Sequence, residues 1–215
     1  MNESLTIRQQ ISLYLQELLS AQYKVSAHIE HRPTKGELRE EFIKRVVCDE
    51  YEGICFYKGI LEIGDWQSPE IDFIWLKRNV RTGGFRVFDG NDCRLYMEIK
   101  STAQKDEIVY LNQYTNEIKS RCQDNKVKAG MFCYSTQTDR KTVLKDFGFK
   151  YDRSIKAFRP YNKEQDIYPN IDFLFGLDLQ NHSRRPYLVV RDFYGDNTLF
   201  LKEPVIDYFL DMFKE

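Results

Sequence analysis

Two short runs constrain the fold of this chain more than any other feature. Ile71-Asp72-Phe73-Ile74-Trp75 is apolar and strongly β-prone, with one acid inside it. Tyr96-Met97-Glu98-Ile99-Lys100 is another such run, with an acid and a base two residues apart. Side chains alternate along a strand, so Glu98 and Lys100 point the same way. A carboxylate and an ammonium on one face of a central strand are costly to bury unless they are paired or bound to a metal.

The surrounding pattern predicts an α/β chain. Residues 3–22 read as an amphipathic helix, with Leu5, Ile7, Ile11, Leu13, Leu15, Leu18 and Leu19 near a 3.6-residue period. A second helix is expected after Arg32-Pro33-Thr34-Lys35-Gly36, with Thr34 as its cap and Glu37 completing a capping box. It carries Leu38, Phe42, Ile43, Val46 and Val47. Residues 53–63, 70–76 and 94–100 read as strands, and 77–84 as a turn. Residues 104–122 return to a helix, 129–134 to a buried strand and 138–147 to a short helix ending at Gly148. Strands at 171–177, 187–193 and 198–201 and a helix from Pro204 follow. No repeat or Pro/Gly/Ser linker interrupts the 215 residues. One domain, 1–215, is the simplest division: an N-terminal helix and connection (1–32), a core (33–150) and a C-terminal extension (151–215).

Composition limits the function classes. Lys plus Arg is 32 and Asp plus Glu 33, a formal net charge of −1. That excludes binding nucleic acid by bulk positive charge and leaves room for a local basic groove. No apolar run reaches the ~20 residues of a membrane span, and the first residues carry no signal-peptide pattern. The five cysteines, Cys48, Cys55, Cys93, Cys122 and Cys133, are scattered without zinc-ligand spacing. Reduced thiols in a cytoplasmic protein are the expectation. Neither a phosphate-cradling Gly-rich loop nor a Gly-x-Ser-x-Gly elbow is present.

The chemistry that needs acids at these strand positions is metal-assisted phosphodiester cleavage. Asp72 and Glu98 from adjacent strands can give carboxylate oxygens to one Mg²⁺, with the carbonyl of Ile99 as a third ligand. Lys100 would orient or activate the attacking water and offset charge on the phosphorane.

Pro69-Glu70-Ile71-Asp72, a spacer of 25 residues and Glu98-Ile99-Lys100 together resemble the PD-(D/E)XK nuclease superfamily. The helix-strand-strand-strand-helix-strand order is also that of its core. Pro69 lies three residues before Asp72 rather than directly before it. The chain is most similar to a bacterial branch containing effector nucleases of cyclic-oligonucleotide anti-phage (CBASS) systems. The segments that carry this are Lys35-Gly36-Glu37-Leu38-Arg39-Glu40-Glu41, Glu70-Ile71-Asp72-Phe73-Ile74 and Glu98-Ile99-Lys100-Ser101-Thr102.

The resemblance implies a restriction-endonuclease-like fold: a mixed central sheet flanked by helices in αβββαβ order, with a C-terminal strand-and-helix extension. It implies a Mg²⁺-dependent endonuclease (Mn²⁺ substituting) acting on double-stranded DNA in prokaryotic defence. It also implies a homo-oligomer and a cyclic oligonucleotide activator. By position after Lys35-Gly36, Glu40 is the helix acid beside the metal, with Glu37 and Glu41 as alternatives one turn away. Glu70, sharing a strand face with Asp72, is a candidate further ligand. Two bland readings stand beside this one. The acids could form a solvated ion cluster on a surface hairpin, or the fold could be a nuclease-like module that binds nucleic acid or a regulatory nucleotide without cutting.

Other residues carry weaker expectations. Lys77, Arg78, Arg81 and Arg86 form an acid-free basic turn that could clamp a DNA backbone near the metal. Residues 139–163 hold eight basic and three acidic residues interleaved with Phe147, Phe149, Tyr151, Phe158 and Tyr161. Such a mixture can grip nucleic acid, although core aromatics with a solvated rim have the same pattern. His28 and His31 lack further metal ligands and read as structural. Gln113 and Tyr114, on the helix after Lys100, are candidate contacts to the site. Ser101 and Thr102 could bond metal waters or cap that helix. The Leu/Ile stripe of residues 5–19 could serve a partner but more often covers a sheet.

Overall fold

The computed structural model describes residues 6–51, 55–78, 86–123, 126–161, 166–179, 186–192, 195–201 and 205–214. The elements are α1 (Ile7–Ser26), α2 (Arg32–Glu50), β1 (Phe56–Ile63), β2 (Trp66–Gln67), β3 (Ile71–Leu76), β4 (Val87–Asp89), β5 (Cys93–Lys100), α3 (Lys105–Arg121) and β6 (Lys128–Cys133). They continue with α4 (Arg140–Asp146), β7 (Phe149–Asp152), β8 (Ala157–Pro160), β9 (Phe173–Gly176), β10 (Tyr187–Arg191), β11 (Asn197–Phe200) and α5 (Val205–Asp211).

Local chemistry sets the helix starts. Thr6 Oγ1 accepts the Gln9 N–H at 3.2 Å and Gln9 Oε1 accepts the Thr6 N–H at 2.9 Å, a reciprocal cap for α1. Helix α2 starts at Arg32, earlier than the expected boundary after Gly36. His31 is the cap residue in place of Thr34, and its Nδ1 accepts the Thr34 N–H at 3.4 Å. Pro33 falls in the first turn, where its missing N–H costs nothing. Helix α3 starts at Lys105, one residue past the expected 104; Glu107 Oε2 accepts the Gln104 N–H at 2.8 Å.

The main sheet runs in the order β11-β10-β9-β6-β5-β3-β1-β2, with β4 pairing β1 in parallel. Strand β5 is antiparallel to β3 and parallel to β6. Strand β9 adds in parallel to β6, so the C-terminal segment extends the same sheet. The continuous apolar run of β3 follows from burial on both sides, as all six residues are buried. On one face, Ile74, Leu76 and Tyr96 pack with Ile108, Leu111, Tyr114 and Ile118 of α3 and with Val143 and Leu144 of α4. On the other, Phe73, Trp75, Leu95, Met97 and Ile99 pack with Leu19 of α1, Ile43, Val46 and Val47 of α2, and Phe209 and Leu210 of α5. Phe213, just past α5, closes this second core.

Strands β7 and β8 form a separate hairpin beside α4. The sequence pattern had shown only a basic-aromatic mixture there.

Candidate active site

The site begins with an irregularity in β3. Tyr57 pairs Ile74 but Gly59 pairs Ile71, so β3 carries an extra residue at Asp72–Phe73. A bulge of this kind re-aims a side chain and breaks the strict alternation of faces. Asp72 Oδ2 accepts the Ile99 N–H at 2.9 Å, taking the position a β3 carbonyl would hold in an unbroken ladder. In an extended residue N–H and C=O point to the same side of the strand, so the Ile99 carbonyl opens onto the gap beside Asp72.

Glu98 is 8% exposed and Asp72 9%. Lys100 Nζ donates to Glu98 Oε2 at 2.7 Å and lies 3.6 Å from Asp72 Oδ2. The two acids of neighbouring strands thus share one ammonium, which disposes of the surface-hairpin alternative. The other oxygen of Glu98 is also engaged: the Tyr114 hydroxyl donates to Oε1 at 2.7 Å. Of the two helix residues singled out as contacts, Tyr114 reaches the acid, while Gln113 is exposed.

A second ammonium extends the cluster. Lys58 Nζ lies 2.7 Å from Glu40 Oε2 and 3.4 Å from Asp72 Oδ1. Glu40 of α2 is thereby joined to Asp72 through Lys58. Glu37 and Glu41 are exposed, and Glu41 pairs with Arg45 at 3.5 Å. Glu70 is exposed just before β3, because the bulge removes the face it was expected to share with Asp72. Lys58 was missed in the sequence, although it is the one charged side chain in Phe56-Tyr57-Lys58-Gly59-Ile60-Leu61.

The electrostatics follow from burial and crowding. Desolvation, then repulsion from Asp72, raises the Glu98 carboxyl above its usual range, with Lys100 and Tyr114 opposing. Desolvation and Asp72 do the same to Glu40. Burial acts against the Lys100 ammonium, but Glu98 and Asp72 outweigh it and hold the group above the ordinary lysine range. Lys58 is raised in the same way, by Glu40 and Asp72 against burial. Lys44, one turn from Glu40, is lowered because its desolvation outweighs the neighbouring acids.

Of the basic turn, Arg86 lies along the strand that bears Lys58, its carbonyl accepting the Ile60 N–H at 2.7 Å, whereas Lys77 and Arg78 are not beside these acids. Lys77 and Arg78 follow the far end of β3, five residues from Asp72 or roughly 16 Å at strand rise. Arg78 pairs with Asp92 at 2.8 Å and Lys77 Nζ donates to the Asn91 carbonyl at 2.8 Å. Arg81 lies outside the described residues. Ser101 and Thr102 are half-buried just past β5. Among the described residues, no group of three or more His, Cys, Asp and Glu side chains is close enough to hold a metal, and no helix is long and apolar enough to cross a membrane.

A mixed sheet flanked by helices, with Asp72 on its second antiparallel core strand and Glu98 and Lys100 on the third, is the restriction-endonuclease-like α/β fold. Solved structures similar in fold include those of NucC, a CBASS effector nuclease of the PD-(D/E)XK superfamily. The cAAA-bound form of NucC from E. coli MS115-1 matches with a TM-score of 0.66 at 10% identity, covering 98% of this chain and 91% of that one. The cAAA-bound form from P. aeruginosa ATCC27853 gives 0.68 at 11% identity, covering 97% and 91%. The apo form from E. coli MS115-1 gives 0.60 at 10% identity, covering 96% and 89%. No protein-family model and no curated protein sequence matches the chain.

Proposed function

We propose that this chain is a Mg²⁺-dependent endonuclease that hydrolyses phosphodiester bonds of double-stranded DNA. One observation carries the reading: Asp72 and Glu98, from adjacent strands, converge on a single cation position now held by Lys100 Nζ. The donor chemistry fits a hard divalent ion, which favours carboxylate, carbonyl and water oxygens. Asp72, Glu98 and the Ile99 carbonyl would hold it, with water completing the shell, since the cluster provides only two carboxylates directly. When bound, such an ion supplies Lewis acidity toward phosphate and a lowered water pKa.

The protein's own groups do the remaining work. Tyr114 and the Ile99 N–H fix the two acids by hydrogen bonds. Lys100 orients the attacking water and offsets charge developing on the phosphorane. Lys58 holds Glu40 against Asp72, so Glu40 is a weaker fourth member of the set. The likeness to NucC, whose structures include cAAA-bound forms, supports a role in prokaryotic anti-phage defence in the cytoplasm. The cAAA-bound forms also support a cyclic oligonucleotide as activator, and the proposal includes a homo-oligomer that brings active sites to both DNA strands.

The test is nicking of supercoiled plasmid in Mg²⁺, with candidate cyclic oligonucleotides added. Wild type should cut, cutting should stop in EDTA and return with Mn²⁺, and Asp72→Ala and Lys100→Ala should each abolish it. One observation favours a second reading: two ammonium groups already offset the acids. A non-cutting module on this fold would bind nucleic acid or a regulatory nucleotide and cleave nothing under any divalent ion.

A further inference from the structure

Beside α4, the β7–β8 hairpin closes a cleft of about 370 Å³ lined by Lys141, Lys145, Phe149, Lys150, Tyr151, Phe158 and Tyr161. Among the described residues, none that lines it is acidic. Lys141 and Lys145 stand four apart on one helix face, an arrangement of like charges that weakens a helix. Across the hairpin from Lys150, Arg159 is paired with Asp152 at 3.2 Å and does not line the cleft. The cleft itself gathers Lys141, Lys145 and Lys150 without an acid among its described lining residues, and an anion would offset their repulsion.

The aromatic lining narrows the class of anion. Tyr151 and Tyr161 are exposed, at 37% and 51%. Lys141 Nζ stands 5.3 Å from the Tyr151 ring centroid and Lys150 Nζ 4.5 Å from that of Tyr161. Tyr151 also meets Phe158 edge to face, with centroids 5.2 Å apart. Exposed rings that each carry an ammonium over one face join an aromatic surface to a cation, the combination found where proteins hold unpaired nucleotides. A cavity of this volume accepts one such unit.

We propose that this cleft seats an unpaired nucleotide of a nucleic-acid strand, with the base on Tyr161 and Tyr151 and phosphates on Lys141, Lys145 and Lys150. The inference deepens the nuclease reading and rests on it for the strand's being substrate. Its test reads binding alone.

Fluorescence anisotropy of a labelled 12-nucleotide oligo-dT would be measured in EDTA over a salt series. Tyr161→Ala should weaken binding by about 5- to 150-fold, the span of base–aromatic stacking, while Tyr161→Phe stays within about twofold. An abasic strand of equal length should bind as weakly to wild type as oligo-dT does to Tyr161→Ala, and should be indifferent to that substitution. Lys141→Ala/Lys145→Ala should flatten the salt dependence by about 1.4 in log–log slope, two phosphate contacts on a single strand.

Equal binding of abasic strand and oligo-dT by wild type would overturn the proposal. So would unchanged binding by Tyr161→Ala, or displacement by a free cyclic oligonucleotide but not by excess unlabelled strand. These side chains are exposed, and Tyr161→Phe controls for folding. A protein that passes here and never cuts plasmid sinks the catalytic reading alone; one that cuts and fails here sinks only the cleft.

Discussion

At the scale of single residues, the balance around Glu98 decides the site. Both of its carboxylate oxygens are spoken for, one by Lys100 and one by Tyr114. Deleting only the Tyr114 hydroxyl leaves a buried carboxylate short of one donor, at a cost of about 1.5–3 kcal/mol. Partners that orient ligating acids are commonly worth 10–100-fold in activity. Tyr114→Phe should therefore lower plasmid nicking by roughly that factor while the protein still melts cooperatively, read by initial rates and circular dichroism. The sequence exposed Asp72, Glu98 and Lys100 because charges stand out against β-prone apolar neighbours. It hid Lys58, which stands alone as a cation in β1 with no acid within two residues of it to suggest a shared site. Glu40 was placed only by its offset from Lys35-Gly36, and its link to Asp72 runs through that hidden lysine.

At the scale of elements, close contacts between strands and rings limit substitution. A Cβ on Gly130 in β6 would meet three ring atoms of Phe173 in β9 at 2.5 Å. The ring stands in the second core, so it cannot swing away without displacing its neighbours. Gly130→Ala should cost about 1–3 kcal/mol by overpacking, visible as a lower urea midpoint with an unchanged slope. Long periodic elements such as α3 and the apolar core strands were legible from spacing to within a few residues. Strands β2 and β4 were not, because two or three residues are too few to show a period. The bulge at Asp72–Phe73 was also invisible, since it is a property of how β3 registers against β1 and not of β3 alone.

At the scale of the whole molecule, the two ends of the chain are tied together. Arg8 Nη2 pairs with Asp211 at 2.6 Å, and Ser12 donates to Asp207. Exposed pairs such as Arg8–Asp211 contribute little alone, but beneath them Phe209 and Phe213 rest against Phe73, Phe132 and Phe175. Removing residues from 205 onward should abolish cooperative melting and open a surface that binds a hydrophobic dye, measured by scanning calorimetry and fluorescence. The same dependence bears on synthesis. On the ribosome, the strands bearing Asp72, Glu98 and Lys100 emerge more than a hundred residues before Phe209 and Phe213. Until that aromatic lid arrives, this side of the sheet is covered by α1 and α2 alone, so a nascent chain holds its acids on an unfinished scaffold. Under the proposed nuclease function, the order of translation itself would shield a cell from premature cutting.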